Sequence, residues 1–132
     1  MGKRKLLNME NLDISELIED LMQDEDFVDS CEDESVEWTL SMMLGDAAGS
    51  LKWNNFPTGD QYKFEFEDAY SEKGDGKDEE TIYGIFKRKS DGKFFKVWVH
   101  DSGFIETPTM CDHMEEVRAK EETRKIKTWD KF

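Results

Sequence analysis

Twenty consecutive residues, 81–100, decide the fold of this chain: TIYGIFKRKSDGKFFKVWVH. Two runs rich in β-branched and aromatic residues, 81–89 and 93–100, flank Ser90-Asp-Gly92, whose glycine suits the positive φ of a hairpin turn. In the second run apolar residues occupy both faces, which is typical of a central strand that a helix covers on at least one side. One face consists of Phe95, Val97 and Val99, and the other of Phe94, Trp98 and His100.

The segments on either side of this hairpin extend the predicted sheet. Aromatic and charged residues alternate over 61–67 and predict a half-buried strand, and the polar residues 71–80 predict a mobile loop after it. Residues 123–129 alternate again and predict a C-terminal strand whose lysines suit a sheet edge. Before that strand, helical spacing predicts a short helix that begins after Pro108. Its apolar stripe would be Met110, Met114 and Val117.

Upstream of the strands, apolar residues recur at the spacing of a helix face. Residues 12–23 predict a first helix, capped by Asn11 or Asp13. The acidic segment that follows is expected to end this helix. A second helix is predicted to begin at Ser30 and to end at Gly49. The sequence therefore predicts an α+β domain, in which two N-terminal helices precede an antiparallel sheet of three to five strands.

Length and processing signals indicate one domain in a reducing compartment. The 132 residues are close to the commonest domain size, and we expect residues 1–9 to be flexible. The apolar stretch after the basic N-terminus is two residues long, which is far shorter than a signal peptide requires. We therefore expect a cytoplasmic protein, in which Cys31 and Cys111 are free thiols.

The charge is strongly segregated along the chain. Fourteen acidic residues and no lysine or arginine lie between Leu6 and Leu51. Residues 1–80 contain 7 basic and 23 acidic residues, whereas residues 81–132 contain 11 and 9, and the net charge is −14. A field of this sign repels nucleic acid and anionic membranes, and it attracts basic surfaces.

This segregation favours a recognition surface, because mixed charges would serve solubility equally well and self-repulsion costs stability. Two neighbouring acidic helices would approach the charge spacing of duplex DNA, about one charge per 1.7 Å. We therefore predict a small non-catalytic inhibitor or decoy that blocks a basic, nucleic-acid-binding site, such as a bacteriophage counter-defence protein. Its partner would be a basic protein, with no direct contact to nucleic acid or membrane. The predicted contact residues are Asp24, Glu25, Asp26, Asp29, Glu32, Asp33, Glu34 and Glu37.

Two alternatives stay open at this point. A small metal- or thiol-dependent enzyme could use Cys111, His100 and His113, but structural zinc needs about four ligands and nearby acids disfavour a reactive thiolate. We therefore predict no metal and no cofactor. A structural subunit of a homo-oligomer could instead use the apolar faces of residues 93–100. The basic segment Lys87–Lys89 is interpreted as an internal counterweight to the acids, since polyanion binding favours a net basic surface.

Overall fold

A computed structural model describes residues 10–49, 55–73, 80–101, 108–121 and 127–131. Three helices come first: α1 (Ile14–Leu21), α2 (Glu25–Asp33) and α3 (Val36–Ala48). The strands are β1 (Asn11–Asp13), β2 (Phe64–Lys73), β3 (Glu80–Arg88), β4 (Lys93–Asp101), β5 (Thr109–Met110), β6 (His113–Glu121) and β7 (Lys127–Lys131). All their pairings are antiparallel. The predicted α+β class, with helices before an antiparallel sheet, is confirmed.

The seven strands form one sheet in the order β1-β6-β4-β3-β2, with β5 paired to β4 and β7 paired to β6. The hairpin of β3 and β4 pairs continuously from Glu80 opposite Asp101 to Arg88 opposite Lys93, and Gly92 in its turn has a φ of 75°. Because β4 lies between β3 and the strands β5 and β6, its predicted central position is confirmed. The sheet exceeds the expected five strands because short strands join its far edge.

The helical region contains three helices where the sequence predicted two. Asp24 begins the additional helix α2, since its side chain accepts a hydrogen bond from the backbone N–H of Phe27 at 3.0 Å. Acidic residues are favoured at a helix start, so the segment interpreted as a break is a cap and a first turn. Ser30 therefore lies inside α2, and Ser35 caps α3. The first helix is shorter than predicted because its first residues pair as β1.

Two predictions after β2 are also corrected. Residues 71–73 and Glu80 are strand residues that pair with β3 and β2 respectively, so only residues 74–79 of the predicted loop lie outside the described residues. The predicted helix after Pro108 is wrong, because its stripe residues belong to β5 and β6. Met114 and Val117 are an odd number of residues apart and pack in separate clusters on opposite sheet faces. The N-terminal residues 1–9 lie outside the described residues.

The helices cover one face of the sheet and build the main core with it. Leu17, Leu40 and Leu44 are fully buried there with Phe95 and Val97 of β4. The closest approach is at Gly84 in β3, where an added Cβ would collide with the Leu44 side chain. In the part of the chain that the structure describes, no helix combines the length and apolar character needed to cross a bilayer.

Candidate protein-binding surface

The eight acids predicted to contact a partner lie on α2, at its two ends and in the first turn of α3. Six of these side chains are exposed, and those of Asp24 and Glu37 are half-buried. An α-helix turns about 100° per residue, which places the five acids within α2 on an arc of about 120°. We call these five the acidic face: Glu25, Asp26, Asp29, Glu32 and Asp33.

The opposite side of α2 holds this face in place. Phe27 is 2% exposed in the main core, and Cys31 packs against that core. The hydroxyl oxygens of Ser30 and Thr39 lie 3.0 Å apart and join α2 to α3. Because these contacts fix the rotation of α2, its five carboxylates point to solvent as one group.

Basic side chains of the described ranges do not neutralise the acidic face. No lysine or arginine whose side chain is described forms an ion pair with any of its five carboxylates. Arg88 instead donates two hydrogen bonds to Glu10, at 2.7 and 2.9 Å, and two more to Asp91. Lys93 Nζ lies 3.5 Å from Glu10 and 4.0 Å from Glu116. Two basic side chains of the β3–β4 hairpin, Arg88 and Lys93, are therefore paired with acids that lie outside α2.

These ion pairs shift the ionisation of their members. Hydrogen bonds from Arg88 lower the pKa of Asp91 to about 2 and hold the pKa of Glu10 below its ordinary value. The hydrogen bonds that Arg88 donates, above all those to Glu10, raise its own pKa. Arg88, Glu10 and Asp91 are therefore ionised at neutral pH, and the guanidinium of Arg88 is engaged within the protein.

The C-terminal end of α2 breaks a rule of helix electrostatics. Glu32, Asp33 and the C-cap residue Glu34 are exposed there, and the last turn contains no basic residue. Carboxylates at a helix C-terminus add to the negative end of the helix dipole, and each costs about 0.3–1 kcal/mol. The anionic potential is consequently reinforced where α2 meets α3.

Asp20 is an acid whose role the sequence reasoning missed. It is 4% exposed, and its carboxylate accepts hydrogen bonds from the backbone N–H groups of Lys63 and Phe64 at 2.9–3.0 Å. The side chain of Gln23 donates a further one at 2.9 Å. A signal was present, because Asp20 falls on the apolar face of α1 next to Leu21. Asp20 fastens α1 to the start of β2 and contributes nothing to the exposed charge.

The residues of the enzyme alternative have separate hydrogen-bond partners. The Cys111 thiol is 2% exposed and accepts a hydrogen bond from the Trp98 backbone N–H at 3.3 Å, and burial raises its pKa. His113 Nδ1 lies 2.7 Å from the Asp112 carboxylate, and His100 bonds to a threonine hydroxyl. The described residues contain no cluster of three or more His, Cys, Asp or Glu side chains that could hold a metal ion.

A trough of about 430 Å³ lies on the sheet face away from the helices. His100 and Trp98 line it with Lys96, whose ammonium group lies 5.0 Å from the centre of the Tyr83 ring. Neither Cys111 nor His113 belongs to this lining. The trough therefore does not unite the three side chains that thiol chemistry would require.

In the part of the chain that the structure describes, exposure, shared orientation and absence of internal ion pairs coincide at the acidic face. No protein-family model matches this chain, and neither a curated protein nor a solved structure matches it.

Proposed function

We propose that this chain is a small non-catalytic cytoplasmic protein that binds a basic partner protein through the acidic face of α2. It acts as an inhibitor or decoy at a site that otherwise binds nucleic acid, as a phage counter-defence protein would. The observation that carries this proposal is the placement of five exposed carboxylates on one arc of a nine-residue helix, without ion pairs to described basic residues.

The charge spacing supports the comparison with nucleic acid. From Glu25 to Asp33 the helix rises about 12 Å at about 1.5 Å per residue. Five carboxylates over this length are separated by about 3 Å along the axis, and phosphates along one strand of DNA are separated by about 3.4 Å. A cationic groove that fits a phosphate strand would therefore meet similarly spaced charges on α2.

The cost of the arrangement also supports recognition. Like charges at neighbouring helical positions, such as Glu25 and Asp29 or Asp29 and Asp33, destabilise a helix by a few tenths of a kcal/mol per pair. Places where a sequence breaks such local rules are expected to be functional sites. Binding a cationic surface would relieve this repulsion through charge-assisted hydrogen bonds and would accelerate encounter by steering.

Affinity capture tests the proposal. The intact protein is used as bait in cell extract at about 50 and 500 mM salt, and bound proteins are identified by mass spectrometry. We expect a basic partner that is retained at low salt, released at high salt and displaced by added duplex DNA. Retention that is independent of salt, or a partner that binds DNA and bait together, would contradict the proposal.

A pair of variants with equal net charge separates a specific surface from diffuse charge. The test variant neutralises the acidic face with Glu25→Gln, Asp26→Asn, Asp29→Asn, Glu32→Gln and Asp33→Asn. The matched control neutralises five exposed acids elsewhere, with Glu16→Gln, Glu19→Gln, Asp60→Asn, Glu65→Gln and Glu67→Gln. We expect capture to be lost in the first and retained in the second. Equal losses would mean that no defined face is recognised.

A further inference from the structure

A groove of about 270 Å³ runs between α2 and α3 beside the acidic face. Its apolar walls are Phe27 of α2 and Met42 and Met43 of α3. The Met42 side chain is 46% exposed, and it is the one large hydrophobic side chain that is exposed in the described ranges. Methionine adapts its shape to varied ligands, which makes such a wall suitable for an incoming aliphatic chain.

One end of this groove is anionic. Asp24 and Asp26 line it, and Asp24 uses its Oδ2 atom to cap α2. The hydroxyl groups of Ser30 and Thr39, which also line the groove, are hydrogen-bonded to each other. The groove thus combines an apolar wall with two carboxylates at its rim.

We propose that this groove binds one lysine or arginine side chain of the basic partner. The methylene stem lies against Met42, Met43 and Phe27, and the cationic head reaches Asp24 and Asp26. Long basic side chains bury their stems on apolar surface while the charge stays in polar surroundings. A neutral apolar ligand would desolvate the two carboxylates without compensation, and an anion would be repelled. This inference rests on the proposed function and names the partner group that α2 and α3 anchor.

Small cations test the groove directly in the intact protein. The methyl signals of Met42 and Met43 are followed by NMR with methyl-labelled methionine during titration with n-butylammonium. Methylammonium supplies the charge without the stem, and n-butanol supplies the stem without the charge. We expect n-butylammonium to bind about eightfold more tightly than methylammonium if half of its three additional methylenes are buried. Equal binding of either control compound, or no shift of the two signals, would overturn the inference.

Variants of one wall residue give a second readout. Met42→Gln keeps the side-chain length but removes the apolar wall, and we expect it to weaken n-butylammonium binding at least threefold. Met42→Leu keeps the wall, and we expect it to bind the probe as the unmodified protein does. If both variants bind alike, the groove inference is wrong, and the capture experiment on the acidic face still judges the proposed function. If instead the probe binds as expected but neutralising the acidic face leaves capture intact, the proposed function fails alone.

Discussion

Replacement of Asp20 tests the view that this buried acid is structural. Its carboxylate accepts hydrogen bonds from the Lys63 and Phe64 backbone N–H groups, so it joins α1 to the first residues of β2. Asp20→Ala removes every acceptor at this point and leaves both N–H groups without a side-chain partner. We expect a large loss of stability without loss of the acidic face.

The structure sets the size of the effect. A buried donor that loses its acceptor costs about 1–3 kcal/mol. The Phe64 N–H is such a donor, whereas the Lys63 N–H is only partly buried, so we expect about 1–4 kcal/mol for Asp20→Ala. Asp20→Asn keeps one carbonyl oxygen and the side-chain shape, and we expect about half of that loss. Since a domain of this kind has a total stability of about 5–15 kcal/mol, the alanine variant loses a substantial fraction of it.

Urea unfolding, followed by circular dichroism, measures these changes as shifts of the midpoint at constant slope. The matched control is Glu19→Ala, the neighbouring acid on the exposed side of α1, for which we expect a change within about 0.5 kcal/mol. The expected order of stability is unmodified protein, Asp20→Asn, Asp20→Ala. If Asp20→Ala differs from Glu19→Ala by less than about 1 kcal/mol, Asp20 does not fasten α1 to the sheet.

Three further predictions concern other parts of the fold. Gly84→Ala should lower the free energy of unfolding by about 1–3 kcal/mol, because the added methyl group overpacks the contact with α3; an unchanged urea midpoint would show that this contact has room. The ion pair with Arg88 lowers the pKa of Glu10 from 4.5, so its stabilisation is present above pH 4.5 and is lost as pH falls through the lower folded value. Arg88→Met should therefore reduce the stability lost between neutral pH and pH about 3, and an equal acid loss in both proteins would refute this. The pKa of His113 is raised from 6.5, chiefly by its hydrogen bond to Asp112, so its stabilisation is complete below pH 6.5 and is lost as pH rises through the folded value. Asp112→Asn should move the NMR titration of His113 toward 6.5, and an unmoved titration would contradict the assigned cause.

Elements of the fold could be predicted where the residues that determine them are neighbours in the sequence. The β3–β4 hairpin could be predicted because its alternation and its glycine turn lie within twenty neighbouring residues. The strand β1 could not, since it exists only through pairing with β6 near the other end of the chain. The strand β5 could not, because two residues are too few for an alternating pattern to show. Leu12 illustrates the difference: its spacing suits the apolar face of α1, yet it pairs with Met114 in the sheet.

For the candidate site, the sequence indicated which acids lie together but not how they are held. Predicting a helix from Ser30 left Asp24, Asp26 and Asp29 without a helical frame, whereas the structure places the last two on one face of α2 and the first at its cap. The composition also counted Asp20 among the surface charges. Only tertiary structure distinguishes a carboxylate that accepts backbone hydrogen bonds from one that faces solvent, because both occur in equally acidic stretches.

The described acids fall into two groups: some are paired or hydrogen-bonded within the protein, and others, such as those of the acidic face, point to solvent. This difference explains why the negative field is concentrated at α2. Glu10 and Glu116 lie within ion-pair distance of Arg88 or Lys93 on the β3–β4 hairpin. The carboxylate of Asp20 instead accepts hydrogen bonds from backbone N–H groups. Arg88 and Lys93 are thus paired with acids outside α2, and no described lysine or arginine is paired with the acidic face. Three acids at the C-terminal end of α2 alone cost about 1–3 kcal/mol by opposing the helix dipole. This cost is a substantial part of a total of about 5–15 kcal/mol, and the contact with a cationic surface that we propose would offset it.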